Sequence, residues 1–377
     1  MKICFVSKHY YPFPGGLESR VLSLAEWLIG RGHEVFVLTS LEKDTLKEEV
    51  VNGVKVYRSK SFFSLFNAPF MPSVLLRLFS SDYDLLDLNM PDPVNSIFVY
   101  TASLLRKKRY TVTYHADIVK DRWYHMPFRF VYGLFLGLIL GRAEKIFVTS
   151  PNYAESSSVL RRFKGKIVVA PSFVDVKKFS PSIDGSNVKA KYNLSGRKTV
   201  LFVGRLVPYK GLEYLIDAFN LLAKEIDCAL IIVGDGPSGN GLKEKATALK
   251  LESVYFEGSV SESALLQYYA ACDVFVLPSV TRQEAFGLVL VEALALGKPV
   301  VSTNFSGMPY IVDSAGLLVE PRNPVALKDA MAKILSDGNL ARELGEKGRK
   351  RVEDVFSREV VCERVLGVFK EVSRKIN

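Results

Sequence analysis

The chain has 377 residues and a formal net charge of +10, and 48% of its residues are hydrophobic. This length exceeds a typical single domain and suits two domains of about 180 residues, each able to bury a full core. The positive charge indicates an anionic partner, such as a nucleotide or a phospholipid surface. Nucleic acid is disfavoured as a partner because the sequence contains no recognisable nucleic-acid-binding module.

Strand and helix patterns alternate along the chain, which favours an α/β fold with parallel sheets covered by helices on both faces. The predicted strands of the first half are residues 3–7, 34–39, 54–58, 84–89, 110–114, 145–149 and 166–170. Those of the second half are residues 200–203, 229–233, 254–257, 274–277, 299–302 and 317–320. We therefore predict an N-terminal domain over 1–176, a linker region over 177–197 and a C-terminal domain over 198–377. The last helix is a candidate to pack back on the N-terminal domain.

The loop from Pro12 to Gly16 follows the first strand and opens onto a helix predicted to begin near Leu17. Ligands of parallel sheets bind beyond the carboxyl ends of the strands. The backbone amides of Gly15 and Gly16 are therefore candidates to approach a phosphate or an acceptor. A simple strand-to-helix turn explains the same residues without a ligand.

The four cysteines lie far apart, in or beside apolar runs and without metal-ligand spacing, which is typical of reduced thiols in a cytosolic protein. The N-terminus resembles a first core strand rather than a signal peptide. The longest apolar stretch, residues 130–140, is interrupted by two glycines and is too short to span a bilayer.

Residues 120–130 mix cations with aromatic side chains, a composition that suits a membrane interface. The apolar residues 130–140 are more simply interpreted as a helix buried against the sheet. Basic runs such as residues 106–109 follow predicted helices and fit the charge expected at helix C-termini. We expect a cytoplasmic protein, peripheral at the inner face of a membrane, with an anionic membrane surface as one partner.

A cationic cluster follows the first strand of the second half, at Gly204-Arg205 and Lys210-Gly211. Gly204 permits close backbone approach, while Arg205 offers a planar fork and Lys210 a point charge at the start of the next helix. Two cations so placed would stabilise a departing diphosphate. The alternative is that each is an ordinary surface residue.

Glu284 and Glu292 lie eight residues apart in a segment that is predicted as strand, loop and then helix. At helical rise this spacing separates them by about 12 Å, too far for one catalytic pair. With Glu284 on the loop and Glu292 two turns inside the helix, they would bind the sugar and the ribose hydroxyls of one sugar nucleotide. The amides of Gly287 and Leu288 would bind its diphosphate at the helix N-terminus. An amphipathic helix with two solvated glutamates is the alternative.

Together these segments resemble the retaining glycosyltransferase family 4, the group 1 glycosyltransferases of GT-B architecture. The matching signatures are Gly204-Arg205 through Lys210-Gly211, Gly234-Asp235-Gly236-Pro237, Phe256-Glu257-Gly258, Pro278-Ser279, Glu284-Ala-Phe286-Gly287 through Glu292, and Gly316-Leu317. The resemblance implies two Rossmann-like, doubly wound domains that face each other across a cleft. It extends the donor-binding set to Asp235, Gly258 and Phe286.

In the resembled family the glycine pair Gly15-Gly16 lies beside the donor diphosphate. The resemblance also implies that His115 hydrogen-bonds a donor hydroxyl and that Asp117 orients the acceptor. Transfer with retention, by front-face attack, rests on this likeness alone. The chain departs from the family at Tyr310, where many relatives carry a glutamate that supports the donor loop.

Asp82-Tyr83-Asp84 matches the Asp-x-Asp metal-binding motif of the other main glycosyltransferase fold. However, the motif comes at the amino end of a predicted strand, whereas ligands of parallel sheets bind at the carboxyl ends. We expect no metal and no cofactor. The expected donor is a nucleoside-diphosphate sugar, and UDP- and GDP-sugars fit equally well. The expected acceptor is lipid-linked or a glycan.

Two other functions use the same kind of cleft. A GT-B-shaped sugar-nucleotide epimerase needs no acceptor, but would not be expected to carry the set of Gly204, Arg205, Lys210, Glu284 and Glu292. A non-catalytic nucleotide-binding protein is disfavoured by the intact cationic and acidic cluster.

Overall fold

The computed structural model describes residues 1–13, 15–65, 68–117 and 126–374, with Leu65 and residues 126–131 described by their backbone alone. The chain divides into two compact units. Unit 1 comprises residues 1–171 and 361–377, and unit 2 comprises residues 172–360.

Strands and helices alternate through both units. The strands are β1 (Lys2–Val6), β2 (Glu34–Ser40), β3 (Glu48–Val51), β4 (Val54–Ser59), β5 (Ser64–Leu65), β6 (Ala68–Pro69), β7 (Leu85–Met90), β8 (Tyr110–Tyr114), β9 (Ile146–Val148), β10 (Ile167–Val169), β11 (Lys198–Val203), β12 (Cys228–Val233), β13 (Val254–Gly258), β14 (Val274–Leu277), β15 (Val300–Thr303) and β16 (Gly316–Val319). The α-helices are α1 (Gly16–Gly30), α2 (Pro72–Ser80), α3 (Asn95–Leu105), α4 (Met126–Arg142), α5 (Pro151–Ser156), α6 (Ser186–Lys191), α7 (Leu212–Leu222), α8 (Gly239–Ala248), α9 (Glu262–Ala271), α10 (Leu288–Ala295), α11 (Met308–Val312), α12 (Pro324–Ser336), α13 (Gly338–Arg351) and α14 (Arg358–Arg374).

Unit 1 is built on an eight-stranded sheet with the order β10-β9-β8-β7-β1-β2-β4-β3. Its strands pair in parallel except β3, which runs antiparallel to β4 at the edge. The central strands β7 and β8 are fully buried and β1 is buried from Ile3 onward, as expected for a parallel sheet covered on both faces, although β7 includes Asp87 and Asn89. The last helix belongs to this unit from Val361 onward, and the ring of Phe369 packs against Phe5 and Phe147.

Unit 2 is built on a six-stranded, all-parallel sheet with the order β13-β12-β11-β14-β15-β16. Its core is one cluster of buried side chains from the strands and from the helices packed on them. The predicted α/β class with two parallel sheets is confirmed, and each predicted strand lies within two residues of an observed one. The edge strand β3 was not predicted, because its half-exposed residues carry little apolar signal.

Part of the predicted linker region is helical and packed. Residues 186–191 form helix α6, and Val188 and Leu194 are buried in the core of unit 2. Gly185 begins this helix so close to α9 that a Cβ would lie 2.5 Å from the backbone nitrogen of Ala271. The polar composition that predicted a linker therefore belongs to a tightly packed turn, and unit 2 begins at residue 172.

In the part of the chain that the structure describes, no helix is long and apolar enough to cross a membrane.

Candidate active site

In unit 2 the strand order reverses between β11 and β14. Strands β12 and β13 lie on one side of β11, while β14, β15 and β16 lie on the other. A ligand crevice forms at such a point beyond the carboxyl ends of the strands. The loops after β11 and β14 carry Gly204, Lys210 and Glu284, so the fold brings together residues that were predicted separately.

Two glycines shape the loop after β11. Gly204 has a φ of +148°, and a Cβ there would lie 3.5 Å from the Lys210 ammonium nitrogen. Gly211 has a φ of +68°, and a Cβ there would lie 2.2 Å from the carbonyl oxygen of Pro278. Glycine is the residue that readily adopts both conformations, and at Gly211 the carbonyl oxygen of Pro278 also leaves no room for a side chain. Lys210 ends the 3₁₀ turn between them, so its side chain is held against the loop that follows β14.

Lys210 and Glu284 form a buried ion pair. Lys210 Nζ lies 2.5 Å from Glu284 Oε2, and Ser279 Oγ donates to the same oxygen at 3.2 Å. The two residues are only 7% and 9% exposed. Either charge alone would be destabilised by desolvation at such a site, so each requires the other or a ligand that replaces it.

Helices α7 and α10 begin at this edge without a side-chain cap. Each follows a left-handed glycine, Gly211 before α7 and Gly287 before α10. Elsewhere in unit 2, Ser261, Asn323 and Asp337 cap α9, α12 and α13 with side-chain oxygens, whereas α6, α8 and α11 also lack a side-chain cap. The first N–H groups of α7 and α10 thus point to the site without such an oxygen, and they carry the positive end of the helix dipole. This arrangement favours a bound anion.

Glu292 lies nearer the start of α10 than predicted. Leu288 is the first residue of the helix and Glu292 the fifth, so Glu292 lies about one turn inside and not two. Tyr269 donates its hydroxyl to Glu292 Oε2 at 2.6 Å. Burial raises the pKa of Glu292, and this hydrogen bond opposes the rise. The carboxyl group keeps the capacity to accept further hydrogen bonds from ligand hydroxyls.

The Phe286 side chain packs into the core of unit 2. It is 6% exposed and packs at 6.0 Å against the ring of Phe356. Tyr310, at the position where the family often has glutamate, packs edge-on against the same ring at 5.7 Å. The Phe286 side chain therefore anchors the loop between Glu284 and Gly287 in the core of unit 2, and donor binding at this position stays a prediction.

A pocket of about 320 Å³ lies at the carboxyl ends of β12 and β13, beside Leu206 of the loop after β11. Its walls include the predicted residues Asp235 and Gly258. Arg205, on the loop after β11, is exposed, whereas Lys210 is buried and ion-paired. The two cations that were predicted to bind a diphosphate together therefore differ in the absence of a ligand, since one is exposed to solvent and the other is buried in an ion pair.

In unit 1 an acid lies beside the glycine pair. Helix α1 begins at Gly16, and a Cβ on Gly15 would lie 2.1 Å from Glu18 Oε2. Glu18 is 6% exposed, and burial raises its pKa. A carboxyl group thus fills the position where the sequence predicted a diphosphate. Donor binding by Gly15 and Gly16 stays a prediction, and it requires Glu18 to move or to be protonated.

His115 and Asp117 follow β8, and both are fixed by neighbours. His115 Nε2 lies 3.1 Å from Asn89 Oδ1 at the end of β7. Burial, reinforced by the positive charges of Arg20 and Lys8, holds the pKa of His115 well below its usual value, so the imidazole is neutral.

Asp117 accepts hydrogen bonds at one carboxylate oxygen from the hydroxyls of Tyr114, at 2.8 Å, and Ser157, at 3.0 Å. Its backbone N–H donates to the hydroxyl of Tyr153. The carboxylate is therefore held in one orientation at the carboxyl edge of the sheet. Residues 118–125, which include most of the predicted membrane-facing stretch, lie outside the described residues.

The two aspartates of the Asp-x-Asp spelling lie at the amino end of β7, away from the carboxyl edge. Asp84 Oδ2 accepts from the backbone N–H of Lys2 at 2.7 Å, and Asp82 pairs with Lys108 at 3.4 Å. Within the described ranges, no group of three or more histidine, cysteine or carboxylate side chains is placed to hold a metal ion.

Three residues at these edges were not singled out from the sequence: Glu18, Asn89 and Tyr269. Asn89 had a usable signal, since it is a polar residue near the end of a buried, largely apolar strand. Glu18 and Tyr269 had none, because their partners come from other elements of the fold.

The protein consists of two doubly wound, parallel-sheet units. In unit 2, cations and uncapped helix starts lie at the carboxyl ends of the strands. This combination is typical of the GT-B class of glycosyltransferases. A solved structure of this class, sucrose-phosphate synthase from Thermosynechococcus elongatus, superimposes with a TM-score of 0.82 at 26% identity, covering 98% of both chains. Family models match as well: "Glycosyltransferase Family 4" over residues 14–178 and "Glycosyl transferases group 1" over residues 186–351.

Three curated relatives match nearly end to end. D-rhamnosyltransferase WbpZ of Pseudomonas aeruginosa is 31% identical, over 91% of this chain and 88% of its own. O-antigen chain mannosyltransferase C of Escherichia coli is 28% identical over 98% of both chains. Phosphatidyl-myo-inositol mannosyltransferase of Mycobacterium leprae is 29% identical, over 99% of this chain and 97% of its own. The chain belongs to the group 1 glycosyltransferases of glycosyltransferase family 4, and it is a hexosyltransferase that uses nucleotide sugars.

Proposed function

We propose that this protein transfers a mannose-type hexose, with retention, from a nucleoside-diphosphate sugar to a hydroxyl group of a lipid-linked or glycan acceptor, without a metal ion. The observation that carries the proposal is the buried Lys210–Glu284 pair beside the uncapped start of α10. This edge of unit 2 offers a cation, a carboxylate and helix amides in one place, and a sugar nucleotide needs all three.

The diphosphate takes the place of Glu284 as the partner of Lys210. Its oxygens receive hydrogen bonds from the N–H groups that follow Gly287, and Arg205 reaches it from the exposed side of the β11 loop. Glu284, released from Lys210, accepts hydrogen bonds from the sugar hydroxyls. Charge that develops on the leaving diphosphate is then stabilised by groups already in position, which is the main source of rate enhancement in such a site.

The other parts of the donor follow from this placement. Glu292 accepts hydrogen bonds from the ribose hydroxyls, and the 320 Å³ pocket at Asp235 and Gly258 receives the nucleobase. No carboxylate of unit 2 is assigned to a covalent intermediate. The likeness to the family supports retention by front-face attack, in which a diphosphate oxygen accepts the proton of the attacking hydroxyl.

We assign the acceptor side to unit 1. Neutral His115 hydrogen-bonds a donor hydroxyl without adding positive charge beside the reacting centre, and Asn89 fixes the ring that does so. Asp117, held by two hydroxyls, orients the acceptor hydroxyl. Tyr310, in place of the common glutamate, makes the donor loop depend on aromatic packing for its support.

The sugar and acceptor are supported by the relatives. Two of the three transfer mannose and one transfers rhamnose, a deoxyhexose, while their acceptors include an O-antigen chain and a phosphatidyl-myo-inositol. We further propose that the protein works at the cytoplasmic face of a membrane. None of its four cysteines forms a disulfide and all four are buried, as expected in a reducing compartment, and its positive charge suits anionic lipid.

The test is transfer of labelled sugar from a panel of UDP- and GDP-hexoses to a membrane lipid extract, with and without the extract. The expected result is an acceptor-dependent product whose new bond keeps the anomeric configuration of the donor by NMR. A change in the donor sugar without any acceptor would identify an epimerase. Tight nucleotide binding without any turnover would identify a binding protein.

A further inference from the structure

About half of the exposed large apolar side chains in the described part of unit 1, seven of thirteen, lie on one helical layer. Helices α2, α3 and α4 pack side by side. They lie on one face of the sheet, because each connects parallel strands in the same direction by a right-handed crossover. Their outward faces expose Leu76, Phe79, Leu104, Leu105, Leu134, Phe135 and Leu138, each by 38–70%. This set is called the α2–α4 face below.

Unit 2 has the same architecture and no such face. Val325 is its one large apolar side chain with comparable exposure, and every residue of the unit is among those described. The fold itself therefore does not require exposed leucines on a helical layer. A concentration of this kind on one surface marks an interaction site. It also corrects the prediction that residues 130–140 are a wholly buried helix, since Leu134 and Leu138 face solvent.

Cations accompany the apolar side chains on this face. A groove of about 620 Å³ runs between α3 and α4, with Leu104 and Leu138 in its walls. Lys107, Arg109, Arg142 and Lys166 line the same groove with one acid, Glu144, which leaves three net positive charges. Arg142 is held in place by hydrogen bonds to the hydroxyl and carbonyl oxygens of Ser103, both at 2.7 Å.

We propose that the α2–α4 face is the surface by which this protein docks on an anionic lipid bilayer. The leucines enter the interface between headgroups and acyl chains, and the groove cations meet lipid phosphates, which is the pattern of interfacial helices. A second copy of the chain fits poorly, because two such faces would bring like charges together. The proposal rests on the proposed function only in that a lipid-linked acceptor gives the docking a purpose.

The test is co-sedimentation of the full chain with vesicles, in the absence of donor and acceptor. Phosphatidylcholine vesicles are compared with mixed phosphatidylcholine–phosphatidylglycerol vesicles at low and high salt. The apolar variant is Leu134→Ser with Leu138→Ser. Its matched control is Leu46→Ser with Val50→Ser, two side chains of unit 1 that are 66% and 65% exposed outside these helices. The charge variant is Lys107→Asn, which suits the positive φ of 54° at that position.

Wild type should bind the anionic vesicles and lose binding as salt rises. The apolar variant should bind about tenfold more weakly or worse, as expected when apolar side chains no longer enter the interface. The charge variant should bind about fivefold more weakly, and the control should bind as wild type does. All variants should keep normal turnover on a water-soluble acceptor.

Three results would overturn the proposal: wild type that ignores anionic vesicles, a control that weakens as much as the apolar variant, or a dimer in sedimentation equilibrium that dissociates in the apolar variant. The last would assign the face to contact between copies. Vesicle binding is measured without donor and acceptor. A failure to bind vesicles would therefore not contradict the proposed transferase activity, and a loss of transferase activity would not explain a failure to bind vesicles.

Discussion

The Lys210–Glu284 pair can be tested for a structural and a catalytic role at once. Lys210→Met leaves the Glu284 carboxylate buried with one hydrogen bond, from Ser279. Breaking a buried pair by removing one partner costs about 3–5 kcal/mol. For a unit of this size each kcal/mol lowers the melting temperature by about 2–4 °C, so unit 2 should melt roughly 6–20 °C lower.

The double variant Lys210→Met with Glu284→Gln separates the two roles. It removes both charges, so stability should return to within about 1.5 kcal/mol of wild type, since neutral groups of similar volume replace a buried pair at little cost. Turnover should stay at least about 10²-fold down in both variants, because the cation that stabilises the leaving diphosphate is still missing. The matched control is Lys245→Met, which removes a half-exposed pair with Asp217 and should change stability by less than about 1 kcal/mol.

Thermal unfolding, followed by sugar transfer at a temperature where every variant is folded, gives both readouts. A double variant as unstable as the single one would show that the ion pair is not what stabilises the loop. Near-normal turnover in folded Lys210→Met would refute the leaving-group role.

Glu284→Gln should lower turnover and relax donor-sugar choice while hardly changing affinity for the free nucleoside diphosphate, whereas Glu292→Gln should weaken that affinity; calorimetry that finds the reverse pattern would mean the donor lies the other way round. Activity should persist in excess EDTA, and complete loss restored by manganese or magnesium would revive Asp82 and Asp84 as metal ligands. Burial lowers the pKa of His115 in the folded chain. As the pH drops below about 6.5, the imidazole therefore becomes protonated in the unfolded chain while it stays neutral in the folded chain. The free energy of unfolding should fall over this pH range. His115→Asn should flatten that part of a melting-temperature profile, and an unchanged profile would show that the imidazole is not buried neutral.

The strands were predictable because a strand buried on both faces is a continuous apolar run, as in Phe202 and its neighbours or Val274–Leu277. The same logic failed where burial is partial or packing is tight. Strand β3 is half exposed, and Gly185, which appeared to be a linker residue, is a glycine because the backbone of Ala271 leaves no room for a side chain.

At the site, residue types and loop positions were predictable, but partnerships were not. The sequence assigned Lys210 and Glu284 each to a ligand. Only the structure, in which β11 and β14 are neighbouring strands, shows that the two side chains form an ion pair with each other when no ligand is bound. Phe286 was assigned to the donor because it lies within a motif of the resembled family. Its direction into the core depends on Phe356, far along the chain, which no local pattern reveals.

In the proposed donor site, the nucleotide sugar binds at the uncapped starts of α7 and α10 and so adds to the stability of unit 2. Without an anion, the first N–H groups of both helices rely on water, whereas α9, α12 and α13 use a side-chain oxygen. A donor at a hundred times its dissociation constant adds about 2.7 kcal/mol to the free energy of unfolding. In a cell that runs short of its donor, we expect the empty enzyme to be degraded faster, so that enzyme abundance follows the sugar-nucleotide pool without any dedicated regulator.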